Sequence, residues 1–103
     1  MAYVDVLIAL ADPTRRNIFE TLWQKPRTVT DLAADQTVSR SAVSQHLKML
    51  EAADLVHATP QGRHRLYAVR GKGLDELRNY LDQFWTDALG AYAAEVQRRT
   101  TRN

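Results

Sequence analysis

Ser39, Arg40, Ser41, Ser44, Gln45, His46 and Lys48 stand close together in the sequence SRSAVSQHLK, with no carboxylate until Glu51. Hydroxyls, an amide and cations are the groups that bond phosphate oxygens and base edges. A second cationic group, Arg63, His64 and Arg65, follows about one element later. Catalysis fits these residues poorly. Ser44 and His46 are two apart, so on a helix their side chains do not face each other. There is no Gly-rich phosphate loop and no nucleophile motif, and the absence of cysteine excludes thiolate chemistry and disulfides. The chemistry expected is therefore nucleic-acid binding, not an enzyme's.

The surrounding elements must present those residues. Val43, Leu47 and Leu50 recur at i, i+4 and i+7, which predicts a helix from Ser39 to about Ala53 with one apolar stripe and a polar outer face. Ser39 is its expected N-cap. Upstream, Thr30 can cap a short helix over 31–35 with Leu32 and Ala33 turned inward, and 36–39 then joins two helices at helix-turn-helix spacing. Downstream, LVHAT (55–59), the turn Pro60-Gln61-Gly62 and RLYAV (65–69) predict a hairpin with Arg63, His64 and Arg65 at its tip. A basic hairpin after a helix-turn-helix has the layout of a wing.

Two helices precede this unit and one follows it. Tyr3–Ala11 carries Val4, Leu7, Ile8 and Ala11 on one stripe. Asp12-Pro13 restarts the chain as N-cap and first helical residue. The next helix shows Ile18, Phe19, Leu22 and Trp23 on its apolar face and ends at Lys25-Pro26, with Arg27–Val29 extended after it. Gly71-Lys72-Gly73 is a joint. From Leu74 to Arg98 an apolar stripe runs through Leu77, Leu81, Phe84, Trp85, Ala88, Leu89, Tyr92 and Val96. Gly90 interrupts it and is a place for a bend or frayed turn.

These elements add up to a mainly α fold with a small β-hairpin wing, a winged helix-turn-helix, over residues 1–98, with 99–103 a polar tail expected to be disordered. At 103 residues one domain is expected, and 45% hydrophobic content is ordinary for one. The net charge of +2 is a weak pointer to nucleic acid. All but Lys25, Lys48 and Lys72 of the 14 cations are arginine, which favours bidentate phosphate and guanine contacts. Asp5 occupies what would be the cationic region of a signal peptide, and no apolar run approaches the ~20 residues of a membrane span. A cytoplasmic protein without membrane contact is expected. The two terminal helices carry more apolar surface than so small a domain can hide. A second copy packed about a two-fold axis is the expected cover, through Val4, Leu7, Ile8, Leu81, Trp85, Leu89 and Tyr92.

The phrases ALADPTRRNIFETL (9–22), VTDLAAD (29–35), VSRSAVSQHLKMLEAADLV (38–56) and GRHRLYAV (62–69) resemble the ArsR/SmtB family of winged-helix transcriptional regulators. The resemblance implies a homodimeric repressor on a palindromic operator in double-stranded DNA. It assigns Ser39, Arg40, Ser41, Ser44, Gln45 and Lys48 to the recognition helix and Arg63, His64 and Arg65 to the wing. His46 matches the family's SxHL phrase, as a phosphate contact or as a packing residue. Arg15 matches the DPTR phrase and reads as a structural ion-pair residue. Asp54 stands where the family usually has the Gly that ends the recognition helix in left-handed conformation, a conformation Asp tolerates at modest cost. The family's metal sites do not carry over. TDLAAD holds no thiol, and the last helix has Asp75, Asp82, Asp87 and Glu95 but no His. No metal, cofactor or transition-metal sensing is expected. A small-molecule effector entering near Trp85 and Tyr92 is the less favoured reading of a stripe that reads more simply as core. The alternative function is a protein-interaction module on the same scaffold, without sequence-specific DNA binding.

Overall fold

Asp12 and Pro13 part the first two helices, α1 (Ala2–Ala11) and α2 (Pro13–Gln24), in a computed structural model that describes residues 2–100. Asp12 is the N-cap of α2 and accepts from the backbone N–H of Arg15 at 3.0 Å. Strand β1 (Arg27–Thr28) leads into α3 (Val29–Asp35), and α4 (Arg40–Ala52) follows. Strands β2 (Val56–Gln61) and β3 (His64–Val69) form the wing, and α5 (Gly71–Phe84) opens the terminal helix. The sheet order is β1-β3-β2, all antiparallel. β2 is thus an edge strand, which tolerates Pro60.

The apolar stripe of α4 is buried as its spacing predicts: Val43, Leu47 and Leu50 are fully covered, against Ile18 and Phe19 of α2 and Leu32 of α3. Trp23 is not part of that core. It is 61% exposed and meets Phe19 only edge-on, at 5.6 Å between ring centroids. In α1 the buried residues are Val6 and Ala9, while Val4, Leu7 and Ile8 face outward. α3 starts earlier than its Thr30 suggests. Thr28 is the cap, accepting from the Asp31 N–H at 3.2 Å while the Asp31 carboxylate accepts from the Thr28 N–H at 3.3 Å. That reciprocal box satisfies two free donors, which Thr30 could not do. The hairpin is longer than the alternation indicated. Gln61 pairs with His64 across a two-residue turn whose first residue, Gly62, has φ +60°.

α4 ends in a Schellman motif. Leu55 N–H donates to the Leu50 carbonyl and Asp54 N–H to that of Glu51, both at 3.0 Å, with Asp54 left-handed at φ +57°. The Asp54 carboxylate lies 3.4 Å from Arg70 and 3.9 Å from Lys72, contacts that glycine lacks. The same corner receives the start of α5. Gly73 N–H donates to the Asp54 carbonyl at 2.9 Å. A Cβ on Gly73 would collide with the Ala53 carbonyl oxygen and lie 3.0 Å from that of Asp54. The expected joint at 71–73 is instead helical from Gly71, with Gly73 held against that corner.

The terminal helix does not break at Gly90, whose backbone is right-handed helical. Instead Trp85–Leu89 winds as a π-helical turn between α5 and α6 (Gly90–Thr100). Leu77, Leu81, Trp85 and Leu89 are spaced by four, which drifts off one face of a 3.6-residue helix. A π turn holds more residues per turn and returns the stripe toward its line. α6 reaches Thr100, so Arg99 and Thr100 are helical and not a disordered tail; the rest of that expected tail lies outside the described residues. Over 71–100 this helix is about 45 Å long, in a molecule measuring 71 × 24 × 23 Å. Every residue from Leu81 to Ala94 is exposed.

Two of the three glycines of this helix, Gly73 and Gly90, should behave in opposite ways. Gly73→Ala should lower unfolding stability by about 1–3 kcal/mol through steric strain, whereas Gly90→Ala, with nothing near its Cβ, should raise it by up to about 1 kcal/mol. Urea unfolding of the two variants checks this. Equal effects would contradict the close approach at Gly73.

Candidate nucleic-acid interface

Ser39 sets the start of α4 by accepting from the Ala42 N–H at 3.1 Å, so its hydroxyl is engaged as a cap. From that start the polar residues divide into two adjoining stripes. Arg40, Ser44, Lys48 and Glu51 follow at i, i+4, i+8 and i+11 and face the wing. Ser41 and Gln45 lie beside them and are exposed, pointing away from the core.

The wing side is set by β3. Arg65 and Tyr67 share a face of that strand, and both line a cleft of about 450 Å³ opposite α4. Arg63 and His64 at the hairpin tip complete its outer wall, and Arg40, Ser44 and Lys48 its inner one. The structure thus brings together six of the residues singled out from sequence, five of them cationic or imidazole. Four further lining residues were not anticipated: Val29, Thr30, Glu51 and Tyr67. Glu51 was legible, since it continues the 40–44–48 stripe. Thr30 and Tyr67 reach the cleft through the pairing of Arg27 with Tyr67 and Thr28 with Leu66, a long-range contact without a local signal.

His46 stands apart from this group. It is half-buried, and its Nδ1 lies 3.4 Å from the Arg15 guanidinium. Arginine only donates, so this contact requires an unprotonated Nδ1. The ring thus packs against Arg15. The Arg15 side chain also donates to the α1 carbonyls of Ala9 at 2.6 Å and Ile8 at 3.3 Å, and Arg16 donates to that of Leu10 at 2.9 Å. Arg15 is structural, as expected, but it works by capping the C-terminus of α1, whose last carbonyls have no partner within the helix, and among the described residues it pairs with no carboxylate. The Asp12 carboxyl is held below its ordinary value, chiefly by the Arg15 backbone hydrogen bond and less by the nearby Arg15 charge. Its cap is therefore intact at neutral pH and is lost only as pH falls through that lowered value.

Among the described residues no three of His, Cys, Asp or Glu gather where they could hold a metal, and no helix is long and apolar enough to cross a membrane.

Residues 12–58 match the family model described as bacterial regulatory protein, arsR family. The HTH-type transcriptional regulator Rv2034 of Mycobacterium tuberculosis is 54% identical over 85 residues, which are 82% of this chain and 79% of that protein. Among solved structures, an ArsR-like transcriptional regulator from Rhodococcus sp. RHA1 superposes with a TM-score of 0.85 at 30% identity, over 93% of this chain and 91% of its own. The homodimeric winged helix-turn-helix DNA-binding domain of Mb0332 from Mycobacterium bovis gives a TM-score of 0.67 at 26% identity, over 79% and 75%.

If Arg15 is an internal cap, Arg15→Met should cost about 1.5–3 kcal/mol, the range for hydrogen bonds to a charged group. The midpoint of denaturant unfolding measures this, and an unchanged midpoint would contradict the role.

Proposed function

The chain belongs to the ArsR family of bacterial regulatory proteins, and on that premise we propose that this DNA-binding transcriptional regulator acts as a homodimeric repressor on a palindromic operator in the cytoplasm. The observation that carries this reading is the shared cleft, onto which both the polar edge of α4 and the basic tip of the wing face. Ser41 and Gln45, on the outward stripe, read base edges in the major groove. Arg40, Ser44 and Lys48 bond phosphates or guanine, and Arg63, His64 and Arg65 hold the flanking backbone or minor groove. Ser39 and His46 position the helix from its start and from behind. A repressor of this design occludes its operator by occupying it.

Two copies supply the symmetry. The outward residues Val4, Leu7 and Ile8 of α1 and Leu81, Trp85, Leu89 and Tyr92 of the terminal helix form the contact between them; Trp85 is 67% and Tyr92 68% exposed in a single copy. The homodimeric relative supports such an assembly. A dyad that sets the two α4 helices about 34 Å apart places them in successive major grooves.

Fluorescence anisotropy with DNA from upstream of its own gene tests the assignment. Arg65→Ala should weaken binding to all sequences and lower the log–log salt slope by about 1. Gln45→Ala should instead relax preference at one base pair per half-site, by about 1–3 kcal/mol. If neither substitution alters binding, the assigned roles are wrong.

A further inference from the structure

Beside the outward apolar stripe of the terminal helix runs a second one of different character. Tyr80, Gln83, Phe84 and Asp87 follow at i, i+3, i+4 and i+7 and share a face. Tyr3 of α1 reaches this face and stacks on Tyr80, with ring centroids 4.1 Å apart and planes 9° from parallel. Together these five residues line a cleft of about 320 Å³ between the start of α1 and the end of α5, near the ~300 Å³ at which ligand clefts begin.

Three aromatic rings, one amide and one carboxylate make a definite chemical environment. Aromatic faces attract cations through the ring quadrupole. The Asp87 carboxylate has no ion-pair partner among the described residues, so its charge is available to a ligand. Gln83 adds a carbonyl acceptor. Anions are excluded by the carboxylate, and a neutral apolar ligand would leave it uncompensated. None of the five residues belongs to the outward set through which two copies are proposed to meet, and Asp87 lies inside the π-helical turn, a local geometry that recurs at functional sites.

We propose that this cleft is a binding site for a small organic cation of the quaternary ammonium or guanidinium class. Its cationic group lies against the rings of Tyr3, Tyr80 and Phe84 and toward the Asp87 carboxylate. Because Tyr3 and Tyr80 belong to different helices, the ligand bridges α1 and α5 at the edge of the proposed contact between copies. Binding itself does not depend on the repressor reading; only a regulatory consequence would.

Isothermal titration of the full chain with benzyltrimethylammonium tests the site against its uncharged isostere, neopentylbenzene, supplied to its solubility limit. Saturable binding at one ligand per chain is expected, with a Kd of about a millimolar for a ligand this small. Phe84→Leu should weaken it about three- to ten-fold and Asp87→Asn about two- to five-fold, with thermal melts confirming that both variants fold. Both positions are exposed, so folding should survive. No saturable heat at about ten times that concentration, equal affinity for the isostere, or indifference to both substitutions would overturn the site. Sedimentation mass and operator binding, measured on the same preparation, separate such a failure from a failure of the repressor reading.

Discussion

From Leu81 to Ala94 the last helix exposes every residue it has, and among them are Leu81, Trp85, Leu89 and Tyr92. Leu74 and Leu77 pack against the core and Tyr80 stacks on Tyr3, but beyond that point one copy has no surface left with which to cover the helix. α1 has the same problem. It spends Val6 and Ala9 on the core and turns Val4, Leu7 and Ile8 outward. Burial of such side chains is worth about 1.5–3 kcal/mol each, so two adjoining apolar edges constitute a strong drive toward association. Under the proposed function this drive does more than stabilise. It sets how far apart two recognition helices stand, and hence which DNA they fit.

Between that edge and the DNA-facing surface lies a rigid connection. Arg15 ties the C-terminal carbonyls of α1 to His46 on α4. The Schellman end of α4 is locked by Gly73 of α5 against the carbonyls of Ala53 and Asp54. The wing leaves directly from that corner at Val56 and returns at Val69, and Arg70 N–H donates to the Leu55 carbonyl at 2.8 Å. The position of α4 relative to the wing is therefore fixed by backbone contacts and hardly at all by the surface ion pairs of Asp54, which contribute little in water.

Much of this could be read from the chain. The Ser39 cap, the Val43–Leu47–Leu50 stripe and the Gly62 turn follow local rules, and the structure obeys them. The outward stripe of α1 was visible too, but its inward side was not. Val4, Val6, Leu7, Ile8 and Leu10 surround most of so short a helix, and periodicity cannot say which side a neighbour will claim. Thr28 as the cap of α3 was legible in the Thr28–Asp31 spacing, and the nearer Thr30 obscured it. Trp23 lies at the margin of the α2 stripe, where size suggests burial and geometry denies it. The π-helical turn had a signal in the four-residue spacing from Leu77 to Leu89. Tyr67 and Thr30 in the cleft had none, because only the β1–β3 pairing carries them there.

Sedimentation equilibrium of the full chain, run at about micromolar concentration where a core-like interface is still closed, tests the account at its root. It predicts twice the mass of one chain, reverting to a single-chain mass when Trp85→Glu sets a charge in the apolar edge. A single-chain mass for the unaltered protein would contradict it.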